Sequence, residues 1–250
     1  MEDSASLIGF YERAYSHHGP EADRYARWRA LSAVGKAEHV VELCARAGVE
    51  PASTLDIGCG DGALLAELGR RGFGGSLAGT EISEPAAEIA RRAVPQAQIT
   101  TFDGERLPAA ERSYDLGILS HVLEHVPEPA ALLTEAARVC GAVFFEVPLE
   151  DNISARRASK RAHAQEIGHL HQLARGDALA IASQARLAVA GELQDPLPLE
   201  VHRFFAESSA ARVAARAKWA VRAGTDRVAP GLARRAFTLH YAALCLPRDA

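Results

Sequence analysis

Between Thr54 and Leu193 short apolar runs alternate with stretches in which apolar residues recur every third or fourth position. That alternation predicts strands and helices wound into an α/β fold with a mostly parallel sheet. Thr54–Ile57, Ser76–Glu81, Gln98–Phe102, Ser113–Ser120, Ala142–Val147 and Ala185–Leu193 read as six strands, the fifth ended by Pro148. Helices are predicted over Ala63–Arg70, Pro85–Ala93, Pro129–Val139 and Gly176–Ala185. Pro85 and Pro129 fall in first turns, where a missing N–H breaks no helical hydrogen bond. A seventh strand, Phe237–Leu246, follows a long gap.

Three stretches stand outside this alternation. Residues 1–50 read as an N-terminal helical cap: Phe10–Tyr15 begins it, His17-His18-Gly19-Pro20 breaks it, and Ala26–Ala47 forms a helix ending at Gly48. Residues 149–171 read as a loop insertion on the substrate side, and residues 194–236 as a helical insertion between strands six and seven. The expectation is a single domain over residues 1–250, a length that buries a substantial core.

Chemistry concentrates at Asp56-Ile57-Gly58-Cys59-Gly60-Asp61-Gly62, between the first strand and its helix. Glycines there let the backbone turn sharply and let a ligand lie against it. Gly58, Gly60 and Ala63 also satisfy the dinucleotide pattern G-x-G-x-x-G/A. A diphosphate on a helix N-terminus needs positive potential, however, and Asp56 and Asp61 supply the opposite. They suit a nucleoside carrying an ammonium and a sulfonium, S-adenosylmethionine.

The segment LDIGCGDGALL resembles the first motif of the class I S-adenosylmethionine-dependent methyltransferases, and the likeness continues in order over roughly residues 50–195. Glu81 ends the second strand about 20 residues beyond the glycines, where a ribose-binding carboxylate is expected, with Ile82 beside it. Asp103 and Gly104 follow the third strand, similar to the family's adenine-contacting Asp. Ser120 and His121 close the fourth strand, at the turn beneath the cofactor. The resemblance implies a Rossmann-like, doubly wound seven-stranded sheet with an antiparallel last strand. It implies S-adenosylmethionine held by Asp56, Gly58, Cys59, Gly60, Asp61, Glu81, Ile82, Asp103, Gly104, Ser120 and His121. It also implies transfer of a methyl group to an oxygen or nitrogen of a small molecule. Non-transfer chemistry on the same nucleoside, or a silent partner subunit, is the alternative. N-terminal helices close over the cofactor in this family, which makes Tyr11 and Tyr15 either lid contacts or aromatics packing the cap onto the sheet.

Methyl transfer from a sulfonium depends mostly on positioning, but a hydroxyl or ammonium acceptor also needs a base, and His suits that role near neutral pH. His121, Glu124 and His125 fall at i, i+3 and i+4, sharing one face if the turn is helical. Gly168-His169-Leu170-His171 resembles a Gly-His segment of the same family and brings two more imidazoles to this rim. Three readings stay open. Glu124 and His125 make structural hydrogen bonds; or a general base lies among His121, His125, His169 and His171; or a divalent metal is held by His121, Glu124 and His125 with His169 or His171. The metal set resembles a Glu-x-x-Glu-His arrangement of some ubiquinone-pathway and small-RNA methyltransferases, from which His121 departs.

Substrate choice is assigned to the insertions. Arg156, Arg157, Lys160, Arg161 and His163 lie in the first, and Arg212, Arg216, Lys218, Arg222, Arg227, Arg234 and Arg235 in the second. They are either solvated cations or the receptor of an acidic acceptor, free or presented by a carrier protein. Few aromatics are interleaved for stacking bases, and the net charge is −4, which argues against nucleic acid and anionic membrane as partners. Cys44, Cys59, Cys140 and Cys245 form no C-x-x-C pair and read as reduced, buried thiols. With no apolar leader or membrane-spanning run, the expected location is cytoplasmic.

Overall fold

The computed structural model describes residues 2–17 and 19–248; His18, within the expected break of the cap, lies outside them. The cap is two helices, α1 (Glu2–Ser16) and α2 (Pro20–Ala47). Helix α2 starts at Pro20 and not at Ala26, because Pro20 stands in its first turn and Glu21 and Asp23 face its positive end. It stops at Gly48, whose φ of 68° frees the amides of Gly48 and Val49 to close on Ala45 and Cys44.

The central unit runs β1 (Ser53–Ile57), α3 (Ala63–Arg70), β2 (Ser76–Glu81), α4 (Glu84–Ala93), β3 (Gln98–Thr101), β4 (Tyr114–Ser120), α5 (Pro129–Val139) and β5 (Cys140–Pro148). After it come α6 (Ala158–Glu166), α7 (Arg175–Gln184), β6 (Leu187–Asp195), α8 (Leu199–Arg203), α9 (Ser209–Val228), α10 (Pro230–Ala236) and β7 (His240–Pro247). The seven strands pair in the order β3-β2-β1-β4-β5-β7-β6. Six are parallel, and β7 enters antiparallel between β5 and β6. Strand order reverses between β1 and β4, the position at which open α/β sheets bind ligands.

Both faces of the sheet are covered. On one, Val143, Phe145 and Val147 of β5 meet Leu132, Leu133 and Ala136 of α5 and Ala178 and Ile181 of α7. On the other, Ala142 and Phe144 of β5 and Leu116 and Ile118 of β4 meet Val40, Leu43 and Cys44 of α2 and Leu64 and Leu68 of α3. Side chains of large size at these positions contribute about 1.5–3 kcal/mol each when fully buried. Helix α6 replaces part of the expected loop. Ala164 is its one buried residue, so it carries no apolar period by which a helix could be read.

One polar tie crosses the apolar layer. His39 of α2 places Nδ1 2.9 Å from Glu146 of β5 and Nε2 2.9 Å from Asp195 of β6. With a carboxylate at each nitrogen, the ring donates from both and is an imidazolium. Burial works against that charge, and the Asp195 and Glu146 carboxylates outweigh it, pushing the pKa up to about 10. Because this folded value lies above the unfolded one of about 6.5, the stabilisation is complete below about pH 6.5 and disappears as pH rises toward 10. Denaturant titrations of the wild type should therefore give decreasing stability from pH 6.5 to 9.5. The His39→Ala variant should lose about 3 kcal/mol at pH 6.5, since the fully buried Glu146 and the partly buried Asp195 lose the imidazolium they share, and should show a flatter pH profile.

Candidate functional site

The turn between β1 and α3 is left-handed at three positions, Gly58 (φ 75°), Gly60 (φ 55°) and Gly62 (φ 80°). A Cβ on Gly58 would stand 2.7 Å from Val122, so only glycine fits both the dihedral and the space. Amides of Gly58 and Cys59 bond the Thr80 carbonyl at 2.8 and 3.0 Å, pinning the turn to β2. Glu81, at the end of β2, accepts from the backbone N–H of Gly60 at 2.8 Å, Ile82 at 2.9 Å and Ser83 at 3.1 Å. Burial raises its pKa while those three amides favour the anion and fix both oxygens.

Two further carboxylates border the turn. Asp56 is buried, and burial lifts its pKa to about 7 against the pull of Lys36. Asp61 accepts from Arg29 Nε of α2 at 2.6 Å. The Arg29 guanidinium lies 5.1 Å from the centre of the Tyr15 ring, and Tyr15 Oη stands 2.9 Å from where a Gly60 Cβ would be. The cap thus rests directly on the glycine turn, and Tyr11 reaches the rim, edge-on to His125 at 5.7 Å. Gly104 (φ 86°) faces Ile82, and Asp103 holds the loop after β3 through Oδ1, which accepts from the amides of Glu105 and Arg106 at 2.8 Å each. The buried hydroxyl of Ser120 has no partner among the described residues.

Residues 121–125 do not form a helical turn. His121 is left-handed (φ 59°), and the chain then closes a short turn from the His125 amide to the Val122 carbonyl at 3.0 Å. This separates the imidazoles that a helix would have aligned. His121 turns inward, with Nδ1 2.9 Å from Glu124 and Nε2 3.2 Å from Glu146 and 2.9 Å from His240 Nδ1. His125 turns outward, donating from Nδ1 to the Gly168 carbonyl at 3.1 Å and packing 4.7 Å from His169. His169 Nδ1 meets Glu150 at 2.7 Å. His171 is committed elsewhere, with Nε2 donating to the Val126 carbonyl at 2.9 Å.

The four residues His121, Glu124, His125 and His171 therefore do not converge as one ligand set. Among the described residues the groups able to enclose a cation are His121 with Glu146 and His240, and Glu124 with His125 and His169. Glu124 is fully buried, and its Oε2 has no hydrogen-bond partner among the described residues.

Charge states differ sharply across this cluster. Burial and Lys36 oppose protonation of His121, but carboxylates at both nitrogens raise its pKa. Burial pushes His125 down and takes His240 to about 4. Against the cost of burial, hydrogen bonds from His121, His240 and His39 hold Glu146 far below the usual carboxylate range, and His121 takes Glu124 to about 2. Within the cluster, protonation is favoured at His121 and disfavoured at His125 and His240.

Arg29, Glu146, Glu150 and His240 complete the site and were not singled out by sequence. Glu146 did carry a signal, as the one carboxylate inside an otherwise apolar strand run, since such a group is buried only with a partner. Arg29, Glu150 and His240 sit in unremarkable contexts and gain meaning only from contacts across the chain.

Residues 55–142 match the family model of a methyltransferase domain. A ubiquinone biosynthesis O-methyltransferase of Acinetobacter baylyi is 29% identical over 107 residues, 39% of this chain and 44% of that protein. One from Neisseria meningitidis is 34% identical over 100 residues, 36% of this chain and 42% of that protein. The chain thus spans less than half the length of these curated relatives. Among solved structures, a SAM-dependent methyltransferase from Thermotoga maritima superimposes with a TM-score of 0.65 at 15% identity, covering 97% of this chain and all of that one. A geranyl diphosphate C-methyltransferase from Streptomyces coelicolor gives 0.61 at 15% identity over 86% and 79% of the two chains. The cyclase SpnF gives 0.59 at 14% identity over 86% and 82%. At such identities the likeness establishes the fold.

The charge assignment can be read directly by nitrogen-15 NMR of the imidazoles. His121 should keep its second proton to higher pH than an ordinary imidazole, His125 should give its up at lower pH, and His240 should stay neutral down to about pH 4. A His121 that loses its proton below the pH of an ordinary imidazole would contradict the two-carboxylate geometry.

Proposed function

This chain carries a methyltransferase domain on the class I fold, and we propose that it transfers the methyl group of S-adenosylmethionine to an oxygen or nitrogen of a small-molecule acceptor. The observation that carries this reading is Glu81, a buried carboxylate fixed by three amides opposite a turn made of left-handed glycines. A carboxylate so held accepts from the two hydroxyls of a ribose, and with Asp56 and Asp61 it makes the crevice hostile to a diphosphate. Oxygen is the favoured acceptor atom because the sequence relatives are O-methyltransferases. The four cysteines are free and buried, which suits a reducing, cytoplasmic setting.

The protein groups divide the cofactor between them. Asp61 would hold the ammonium of the methionyl portion and Arg29 its carboxylate, the two side chains pairing with each other meanwhile. Glu81 would hold the ribose, with Ile82, Asp103 and Gly104 around the adenine. Gly58, Cys59 and Gly60 leave room at the backbone, while Asp56, Ser120 and His121 lie toward the sulfur, where the Ser120 hydroxyl awaits a partner. The bound cofactor supplies an electrophilic methyl group, and the protein supplies alignment.

Proton removal falls to the imidazoles beside Glu150. His169 donates Nδ1–H to Glu150, which leaves Nε2 as the unprotonated, basic nitrogen. His121 is unsuited to that task because both of its nitrogens are engaged by Glu124 and Glu146; together with Glu124 it positions the turn. The orphaned Glu124 Oε2 favours one second reading, in which Glu124, His125 and His169 hold a divalent cation that polarises an acceptor oxygen. Chelator treatment separates the two readings, since only the second loses activity.

Calorimetry with S-adenosylhomocysteine tests the cofactor assignment. Glu81→Ala and Arg29→Ala should each weaken binding by about tenfold or more, given the worth of a charged hydrogen bond. Unchanged affinity in Glu81→Ala would remove the ribose assignment. With methyl-labelled cofactor and a panel of phenolic and amine acceptors, His169→Ala should lower kcat about 10²–10⁴-fold while cofactor affinity stays intact. Binding without any transfer across the panel would favour a non-transfer reaction.

A further inference from the structure

A group of cations gathers without an acid between the two insertions. Arg222, on the inward side of α9, is half-buried, and its guanidinium lies 5.9 Å from the centre of the Phe237 ring. Its one protein hydrogen bond among the described residues runs from Nη1 to His202 Nδ1 at 3.3 Å. His202 donates its other nitrogen to the Pro196 carbonyl, so it is a neutral acceptor and brings no negative charge. Arg157 and Lys160, at the start of α6, act on Arg222 and His202 as like charges. No carboxylate lies within ion-pair distance of Arg157, Lys160 or Arg222 among the described residues, although most other partly buried arginines here have one. Asp195 is the acid that acts on His202, and it is already engaged by His39 and the Leu197 amide.

Buried charges are ordinarily paired, and a half-buried arginine with a second guanidinium acting on it and a neutral imidazole as its partner is electrostatically incomplete. Burial, and then Arg157, push the Arg222 pKa down. The protein nonetheless fixes this arrangement. Ile153 and Ser154 donate to the carbonyls of Arg235 and Ala236 at 2.9 and 3.2 Å, and Asn152 Nδ2 donates to Thr238 at 3.1 Å, tying the loop before α6 to the segment after α9. Trp219 Nε1 bonds the Leu197 carbonyl at 2.8 Å, setting the inward face of α9.

We propose that Arg222, Arg157 and Lys160 form an oxyanion-binding subsite for a phosphate or carboxylate group on the acceptor. The guanidinium fork of Arg222 retains donors for bidentate contact, and Arg157 and Lys160 close the group from the solvent side. Phe237 lies three residues before His240, about 10 Å along an extended chain, and His240 meets His121 at the floor of the methyl-transfer site. An acceptor of modest length can therefore anchor its anion here and present its nucleophile at the rim. The subsite rests on the acceptor side proposed above, but its test does not depend on transfer.

Calorimetric titration of the full chain with diphosphate, inorganic phosphate and succinate, in separate arms at constant ionic strength, measures the subsite directly. At least one of these should bind at millimolar concentration or better, and the arm that binds tells phosphate from carboxylate. Arg222→Gln should weaken that binding about tenfold or more, and Arg157→Gln and Lys160→Gln by smaller factors. Arg222→Gln should leave S-adenosylhomocysteine binding at the wild-type value, which also reports that the variant is folded. Absence of binding in every wild-type arm, or equal binding by folded Arg222→Gln, overturns the subsite. Failure of the wild type to bind S-adenosylhomocysteine would overturn the methyltransferase reading instead, leaving the oxyanion result to stand by itself.

Discussion

A carboxylate with no access to water must be answered by cations and hydrogen-bond donors from wherever the chain can bring them, and Glu146 shows what that requirement organises. One oxygen faces His39 from the cap, and the other faces His121 from the turn after β4 and His240 from β7. Three elements far apart in sequence are drawn to one point in the sheet. Since breaking a buried pair costs more than the pair is worth, the arrangement enforces geometry more than it adds stability. The left-handed conformation of His121 is one result: its ring must reach inward between Glu124 and Glu146, and the turn is bent to allow it.

A second constraint acts at the glycine turn. Glu81 is fixed by the amides of the turn and of the residues that follow it, so both of its oxygens are oriented before any ligand arrives. With Asp56 and Asp61 nearby, the crevice has a clear electrostatic preference. Preorganisation there and charge pairing at Glu146 give the site two parts, the glycine turn and the histidine cluster, with Ser120 and His121 between them.

How much of this was legible in the sequence follows the range of the interactions. Strands and helices of the central unit are encoded by local period and by prolines in first turns, and α3, β2 and α5 fall where the apolar pattern places them. The glycine turn is local as well. Helix α6 was invisible because almost nothing on it is buried, and periodicity reports burial, not helicity. Pairings such as Arg29 with Asp61, His39 with Asp195 and His121 with His240 join residues 32 to 156 positions apart, and no local pattern records them. Spacing alone grouped His121 with His125, and a single left-handed residue sent the two rings in opposite directions.

Helix α2 touches both the glycine turn and the histidine cluster. Arg29 meets Asp61 at the turn and His39 meets Glu146 beneath the cluster, ten residues and about 15 Å apart on one rod. The spacing between these two anchors is fixed by the helical rise alone. One cap helix thereby sets the register between two carboxylates that belong to different loops and strands of the sheet.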